Sequence, residues 1–294
     1  MRKRWIHVLL LAIGVMCGST AVVMIKASTE NPFLIATYRL LLATLFMLPF
    51  FLREKKMYTK PYGFKQVRLS IFPGLLLGIH FITWNMGVEL IPVANASIIV
   101  NSTPAVMPFF LWIFFREKVN KVEVIGTLLA LSGIIILAIG RVQLNALDFR
   151  GHLLCFVSML FLAAYLALGR KYNGALPLWL YMWPLYFTAG IFCLASTVFV
   201  INPIKVYELK NVLIFFGLAI IPTFGGHTLI NYSMKNFRGQ VVSVANLGQI
   251  IFATIMGYLF FKEIPSPSFY LTALLILSGV ILILFRGFSR KKAA

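Results

Sequence analysis

Ten apolar runs, each about as long as a bilayer is thick, divide nearly the whole chain. They are Trp5–Ile25, Phe33–Leu52, Leu69–Gly87, Ala94–Phe115, Val122–Gly140, His152–Leu168, Leu178–Val200, Val212–Ser233, Val241–Phe261 and Phe269–Phe285. A helix needs roughly 20 apolar residues to cross the hydrocarbon core. There every backbone N–H and C=O must be bonded within the segment, which leaves helices as the way for separate runs to span. The expected fold is therefore an all-α polytopic membrane protein with ten transmembrane helices. Of the 294 residues 60% are hydrophobic and only 12% are charged, about half the charged share of a soluble domain. A secreted disulfide scaffold, a disordered chain and a soluble enzyme on one anchor are excluded. Arg2-Lys3-Arg4 ahead of an apolar run has the look of a signal peptide, but nine further runs make it the first span. Cys17, Cys155 and Cys193 are odd in number, far apart and within apolar runs, so they read as packed thiols rather than a metal site.

The net charge of +19 follows the same logic. With the N-terminus in the cytoplasm and the spans alternating, the inner segments hold 20 of the 27 Lys and Arg and the outer segments six, with Arg39 inside a span. Cytoplasmic loops are rich in Lys and Arg, so this bias sets both termini inside and accounts for the charge without nucleic acid as a partner. The lipid bilayer is the partner that composition implies, and a second copy, as a homodimer, is compatible with it.

A repeat runs through the chain at an offset of 146. Asn85 matches Asn231, Ser97 matches Ser243, Phe114-Phe115-Arg116-Glu117 matches Phe260-Phe261-Lys262-Glu263, and Leu131-Ser132-Gly133 matches Leu277-Ser278-Gly279. The expected units are residues 1–146 and 147–294, five helices each. Five is odd, so the second unit enters the membrane inverted, as in many secondary transporters with a midplane site.

Polar side chains inside spans are costly and commonly face a bundle interior or a water-filled path. Span four places Ser97, Asn101, Ala105 and Pro108 on one face, and span nine places Ser243, Asn246, Gln249, Ala253 and Gly257 likewise. Such stripes serve cavity lining and close packing equally well. Asn246 and Gln249 are the stronger ligand candidates because an amide both donates and accepts. His80 and Trp84, followed by Asn85, lie on span three, and His227 and Asn231 on span eight, each His four residues from its partner. Either His can bind, gate or carry a proton, or rest neutral against a neighbouring helix. Trp84 and Tyr165 offer flat faces for a planar solute, or ordinary packing. Arg39, the one charge within a span, either snorkels to the headgroups or presents its fork to a carboxylate or phosphate. Pro104, Pro108, Pro184 and Pro222 free the carbonyls of Val100, Pro104, Leu180 and Leu218. Gly126, Gly133 and Gly279 read as packing positions, and Trp5, Trp112 and Tyr258 as interfacial anchors.

Catalysis finds little support. Glu30, Glu54, Glu89, Glu117, Glu123, Asp148, Glu208 and Glu263 all sit at or beyond span ends. No zinc-type His motif and no glycine-rich phosphate loop occurs, so no metal or cofactor is expected.

Pro32 ahead of Tyr38-Arg39, the run from Asn95-Ala96-Ser97 to Pro104, and a Glu closing the fourth and ninth spans together resemble the EamA-type drug/metabolite transporters, over nearly the whole chain. The resemblance implies a carrier of the bacterial inner membrane with a central cavity lined by spans three, four, eight and nine, aided by one and six. This chain departs from the pattern in Arg116 and Lys262, where many members have a small residue, and in Ile250, opposite Pro104 in the repeat. The expected function is alternating-access transport of a small metabolite. With no acid inside any span, an amino acid or related zwitterionic, neutral or anionic solute fits better than a strongly cationic drug. A multidrug exporter is the alternative, and an embedded enzyme or structural subunit a more distant one.

Overall fold

The computed structural model describes residues 2–139, 146–173, 175–262, 264 and 267–289. Gly140 and Glu263, named above, and Arg141, Arg290, Lys291 and Lys292, counted among the basic residues, lie outside the described residues. All regular structure among the described residues is helical: α1 (Arg2–Ala27), α2 (Pro32–Met57), α3 (Phe64–Leu90), α4 (Val93–Asn101), α5 (Thr103–Phe115), α6 (Lys121–Ile139), α7 (Ala146–Asn173), α8 (Leu178–Val198) and α9 (Leu209–Leu218). There follow a π-helical segment (Ala219–His227), α10 (Thr228–Asn236), α11 (Gly239–Asn246), α12 (Gly248–Phe261) and α13 (Pro267–Ser289).

Eight of the helical stretches in the described residues are long and apolar enough to cross a membrane, and Phe269–Leu284 is a shorter apolar helix. The outer surface agrees. Leu45, Phe109, Leu128, Leu213 and Leu274 each leave 60% or more of their area uncovered, a display that a soluble monomer avoids and that lipid covers. Trp5, Trp112 and Tyr258 also face outward.

Local chemistry sets the helix ends. Asn31 caps α2 by accepting the Phe33 N–H, with Pro32 at the first turn, where its missing N–H costs nothing. Asn120 and Glu123 form a reciprocal cap on α6, Asn120 Oδ1 accepting the Glu123 N–H and Glu123 Oε2 the Asn120 N–H. α5 and α12 end alike, on Arg116 and Lys262 in the left-handed conformation, at φ 56° and 58°. That conformation favours glycine, so the long side chains at these two positions sit on a strained backbone.

α3 packs between α7 and α8, α2 against α8 and the π-segment, α1 against the π-segment and α12, and α4 against α7 and α12. α6 and α13 pair along Gly126 and Gly279. A Cβ at Gly279 would sit 2.5 Å from Gly126 O, so no side chain fits there. The expected packing role of these glycines holds.

Proline leaves carbonyls without their helical donors, and three of the four find side chains. Tyr62 donates its hydroxyl to Leu180 O at 2.8 Å, Gln240 Nε2 donates to Pro104 O at 3.1 Å, and Thr223 Oγ1 to Leu218 O at 2.7 Å. Burial pushes Tyr62 up to about 12, so it remains a donor at any physiological pH.

Candidate functional site

The segments around these breaks line a small cavity of about 40 Å³. Its wall is drawn from α1 (Gly18, Ser19, Ala21, Val22), α2 (Arg39), α3 (His80, Phe81, Trp84), α4 (Ser97, Val100, Asn101) and α7 (Leu162, Leu166). The π-segment adds His227, α10 Ile230, α11 Asn246 and α12 Gln249 and Ala253. Seven of the ten sequence-predicted residues therefore meet at one place: Arg39, His80, Trp84, Asn101, His227, Asn246 and Gln249.

Arg39 does not snorkel. Its side chain is fully buried. Nε donates to Thr223 Oγ1 at 2.9 Å, and Cζ lies 4.0 Å above the Phe81 ring centroid. Nη1 and Nη2 have no hydrogen-bond partner. A guanidinium with its face on an aromatic ring and its outer fork unpaired is held ready for an anion; leaving such donors unfilled is otherwise expensive.

The two imidazoles face each other with ring centres 6.0 Å apart. His80 Nδ1 lies 2.7 Å from Ser158 Oγ and 3.1 Å from Ser158 O, and Ser158 Oγ donates to His80 O at 3.0 Å. His227 is half-buried, and its Nδ1 is buried without a partner. On the far wall three amides form a chain. Asn101 Nδ2 donates to Ser97 O, Asn246 Nδ2 to Asn101 Oδ1, and Gln249 Nε2 to Asn246 Oδ1.

Three candidates lie off the wall. Asn85 follows Trp84 by one residue, which is about 100° around a helix. It is buried on another face, donating from Nδ2 to Pro32 O at 3.0 Å and steadying the start of α2. Asn231 donates to His227 O at 2.9 Å and to the Tyr165 hydroxyl. Tyr165 is wholly buried, with its ring centre 6.2 Å from that of His227. These two support the His227 side of the cavity from behind, and Tyr165 presents no open face for stacking. The expected stripe on span four is also interrupted. The helix breaks at Ser102, between α4 and α5, so Ser97 and Asn101 face the cavity while Ala105 is exposed.

Sequence reasoning named neither Phe81 nor Thr223, and named no residue of span one, whose help in lining the cavity the resemblance implied. Phe81 and Thr223 become visible only as partners of Arg39. Gly18 lines the cavity because it has no side chain: a Cβ there would lie 2.9 Å from Gln249 Nε2. Among the described residues no group of His, Cys, Asp or Glu is arranged to hold a metal.

The model of the EamA-like transporter family matches the chain twice, over residues 4–139 and 149–285. An uncharacterized transporter of Archaeoglobus fulgidus is 28% identical over 278 residues, covering 93% of this chain and 84% of that protein. Human solute carrier family 35 member G1 is 22% identical over 248 residues, covering 79% of this chain and 66% of that protein. A crystal structure with 15% identity superposes with a TM-score of 0.77, covering 97% of this chain and 99% of that one. At that identity the match speaks for the fold alone. The family members and the Archaeoglobus fulgidus and human relatives are transporters, not enzymes.

Proposed function

This chain belongs to the EamA-like transporter family, and from that premise we propose that it is a secondary transporter of a small zwitterionic, neutral or anionic metabolite, amino acids and their relatives included. It works by alternating access to the Arg39 cavity, in a bacterial inner membrane with both termini cytoplasmic. The carrying observation is the buried Arg39 fork with Nη1 and Nη2 unfilled at the cavity wall. A strongly cationic solute would join a fixed positive charge in a cavity whose lining includes no Asp or Glu, and an uncompensated buried charge is strongly unfavourable.

Ten spans in two inverted units complete the proposal. Its supports are the tandem match of the family model, the paired α6 and α13, and the left-handed ends at Arg116 and Lys262, which stand 146 residues apart. The breaks at Ser102 and Leu247 fall at nearly the same offset. Inverted units of this kind give each face of the membrane its own gate onto one site.

The test compares flux of amino acids and related carboxylates with that of quaternary ammonium dyes in proteoliposomes carrying wild type or Arg39→Lys. Lysine keeps the charge and loses the fork, so carboxylate flux falls about tenfold or more. Robust dye export with no metabolite flux rejects the proposal in favour of a multidrug exporter.

A further inference from the structure

The wall carrying the amides has a polarity fixed from the backbone outward. Ser97 O can only accept, so Asn101 turns its Nδ2 to it, at 2.9 Å. Asn101 Oδ1 is then the acceptor for Asn246 Nδ2 at 3.3 Å, and Asn246 Oδ1 the acceptor for Gln249 Nε2 at 2.5 Å. The relay runs one way and terminates at Gln249 Oε1, an acceptor. His80 is fixed in the same manner. Ser158 O accepts only, and the Ser158 hydroxyl gives its hydrogen to His80 O. In the neutral ring His80 Nδ1 therefore carries the hydrogen, and Nε2 keeps a lone pair.

The cavity thus holds one permanent cation, Arg39, with two unfilled donors, two acceptors of fixed direction, Gln249 Oε1 and His80 Nε2, and the His227 ring, whose Nδ1 has no partner. None of its lining residues is an acid. We infer that, within the transporter reading on which this rests, the preferred solute is a hydroxy monocarboxylate. Its carboxylate fills the Arg39 fork, and its hydroxyl donates to the acceptor wall. A monoanion makes a neutral pair with Arg39. A zwitterion of the same skeleton brings a second cation to a wall with no anion, and the loaded site keeps an uncompensated charge in the membrane core. A dicarboxylate leaves an anion over, and a neutral solute leaves the Arg39 donors empty.

The experiment uses the full chain in proteoliposomes and three probes that share one carbon skeleton: 2-hydroxyisocaproate, leucine and isocaproate. Saturable counterflow of the hydroxy acid exceeds that of leucine by about tenfold or more. It also exceeds that of isocaproate, because a site with aligned acceptors discriminates against a solute lacking the donor. Gln249→Glu puts an anion at the end of the relay, and the ratio moves toward leucine. Gln249→Met removes that acceptor without adding charge, and the ratio of hydroxy-acid to isocaproate flux falls. Preference of the wild type for leucine overturns the inference and leaves the transporter reading standing, as does flux confined to sugars or nucleosides in a wider panel. A leucine ratio unmoved by Gln249→Glu, or a ratio of hydroxy-acid to isocaproate flux unmoved by Gln249→Met, also overturns it. Absence of saturable flux for any solute, from protein that melts cooperatively, brings down both.

Discussion

The two ends of the bundle are fastened by different chemistry. At one end Glu117 lies 2.9 Å from Arg170 Nε and 3.4 Å from Arg238 Nε, and Arg238 Nε lies 2.5 Å from Glu123. The same arginines donate to the backbone, Arg170 to Phe237 O and Met234 O and Arg238 to Lys118 O. These bonds tie the α5–α6 junction to α7 and the α10–α11 junction. At the other end the chief fastening is neutral. Buried Asn211 accepts from Ser28 Oγ and Thr29 N and donates to Thr29 Oγ1, and Tyr38 donates to Pro203 O. One ion pair, Lys205–Glu30, adds to it with its lysine 39% exposed. An ionic junction is sensitive to charge reversal and salt; an amide junction is sensitive to the loss of single donors and acceptors. The two ends should therefore fail in different ways.

The largest effect is expected at the ionic end. Glu117→Lys places a third cation beside Arg170 and Arg238. It should lower stability by about 2–4 kcal/mol, below the full cost of a buried pair because Arg238 is partly exposed. Adding Arg170→Glu should restore part of the loss, with a coupling of about 0.5–3 kcal/mol in a double-mutant cycle. Additive losses would mean that the ends do not differ in kind. Asn211→Ala should follow, at about 1–3 kcal/mol for its buried partners left unpaired. Its thermal midpoint should change little between low and high salt, whereas that of Glu117→Lys should shift. The smallest effects compare equivalent positions. Arg116→Gly and Lys262→Gly should each stabilise by about 0.5–1 kcal/mol through relief of the left-handed backbone. Arg116 gains less, because its guanidinium lies 4.6 Å over Trp112 and that contact is lost.

Most of this architecture is legible in the chain, because apolar run length and helical spacing are local signals. Asn101, and His80 with Trp84, reach the cavity by the spacing that picked them out. The reading runs out where the helical phase is broken or where a partner matters more than the residue itself. Ser102 breaks the span-four stripe and sends Ala105 outward. Asn85, beside Trp84, shares its depth but not its face. The π-segment shifts the phase around Thr223, so nothing in the spacing ties that hydroxyl to Arg39. Asn231 sits four residues after His227 as expected, yet it bonds to His227 O and Tyr165 rather than facing the cavity. Gly18 contributes by having no side chain, which no polarity signal reports.

The central claim is the proposed alternating access to one cavity; on that proposal the ionic junction at Glu117 is the lock at one end. The direct measurement is labelling of Ala253→Cys, a cavity-wall position, in protein whose Cys17, Cys155 and Cys193 are alanine. An impermeant thiol reagent is applied from each side of the membrane, with Glu117 intact and as Glu117→Gln. Loss of the lock should shift the population toward the state open at that end. Labelling from the Lys121 side then rises, and labelling from the Glu30 side falls. Labelling that is unchanged from both sides, in protein that still transports, would contradict the account.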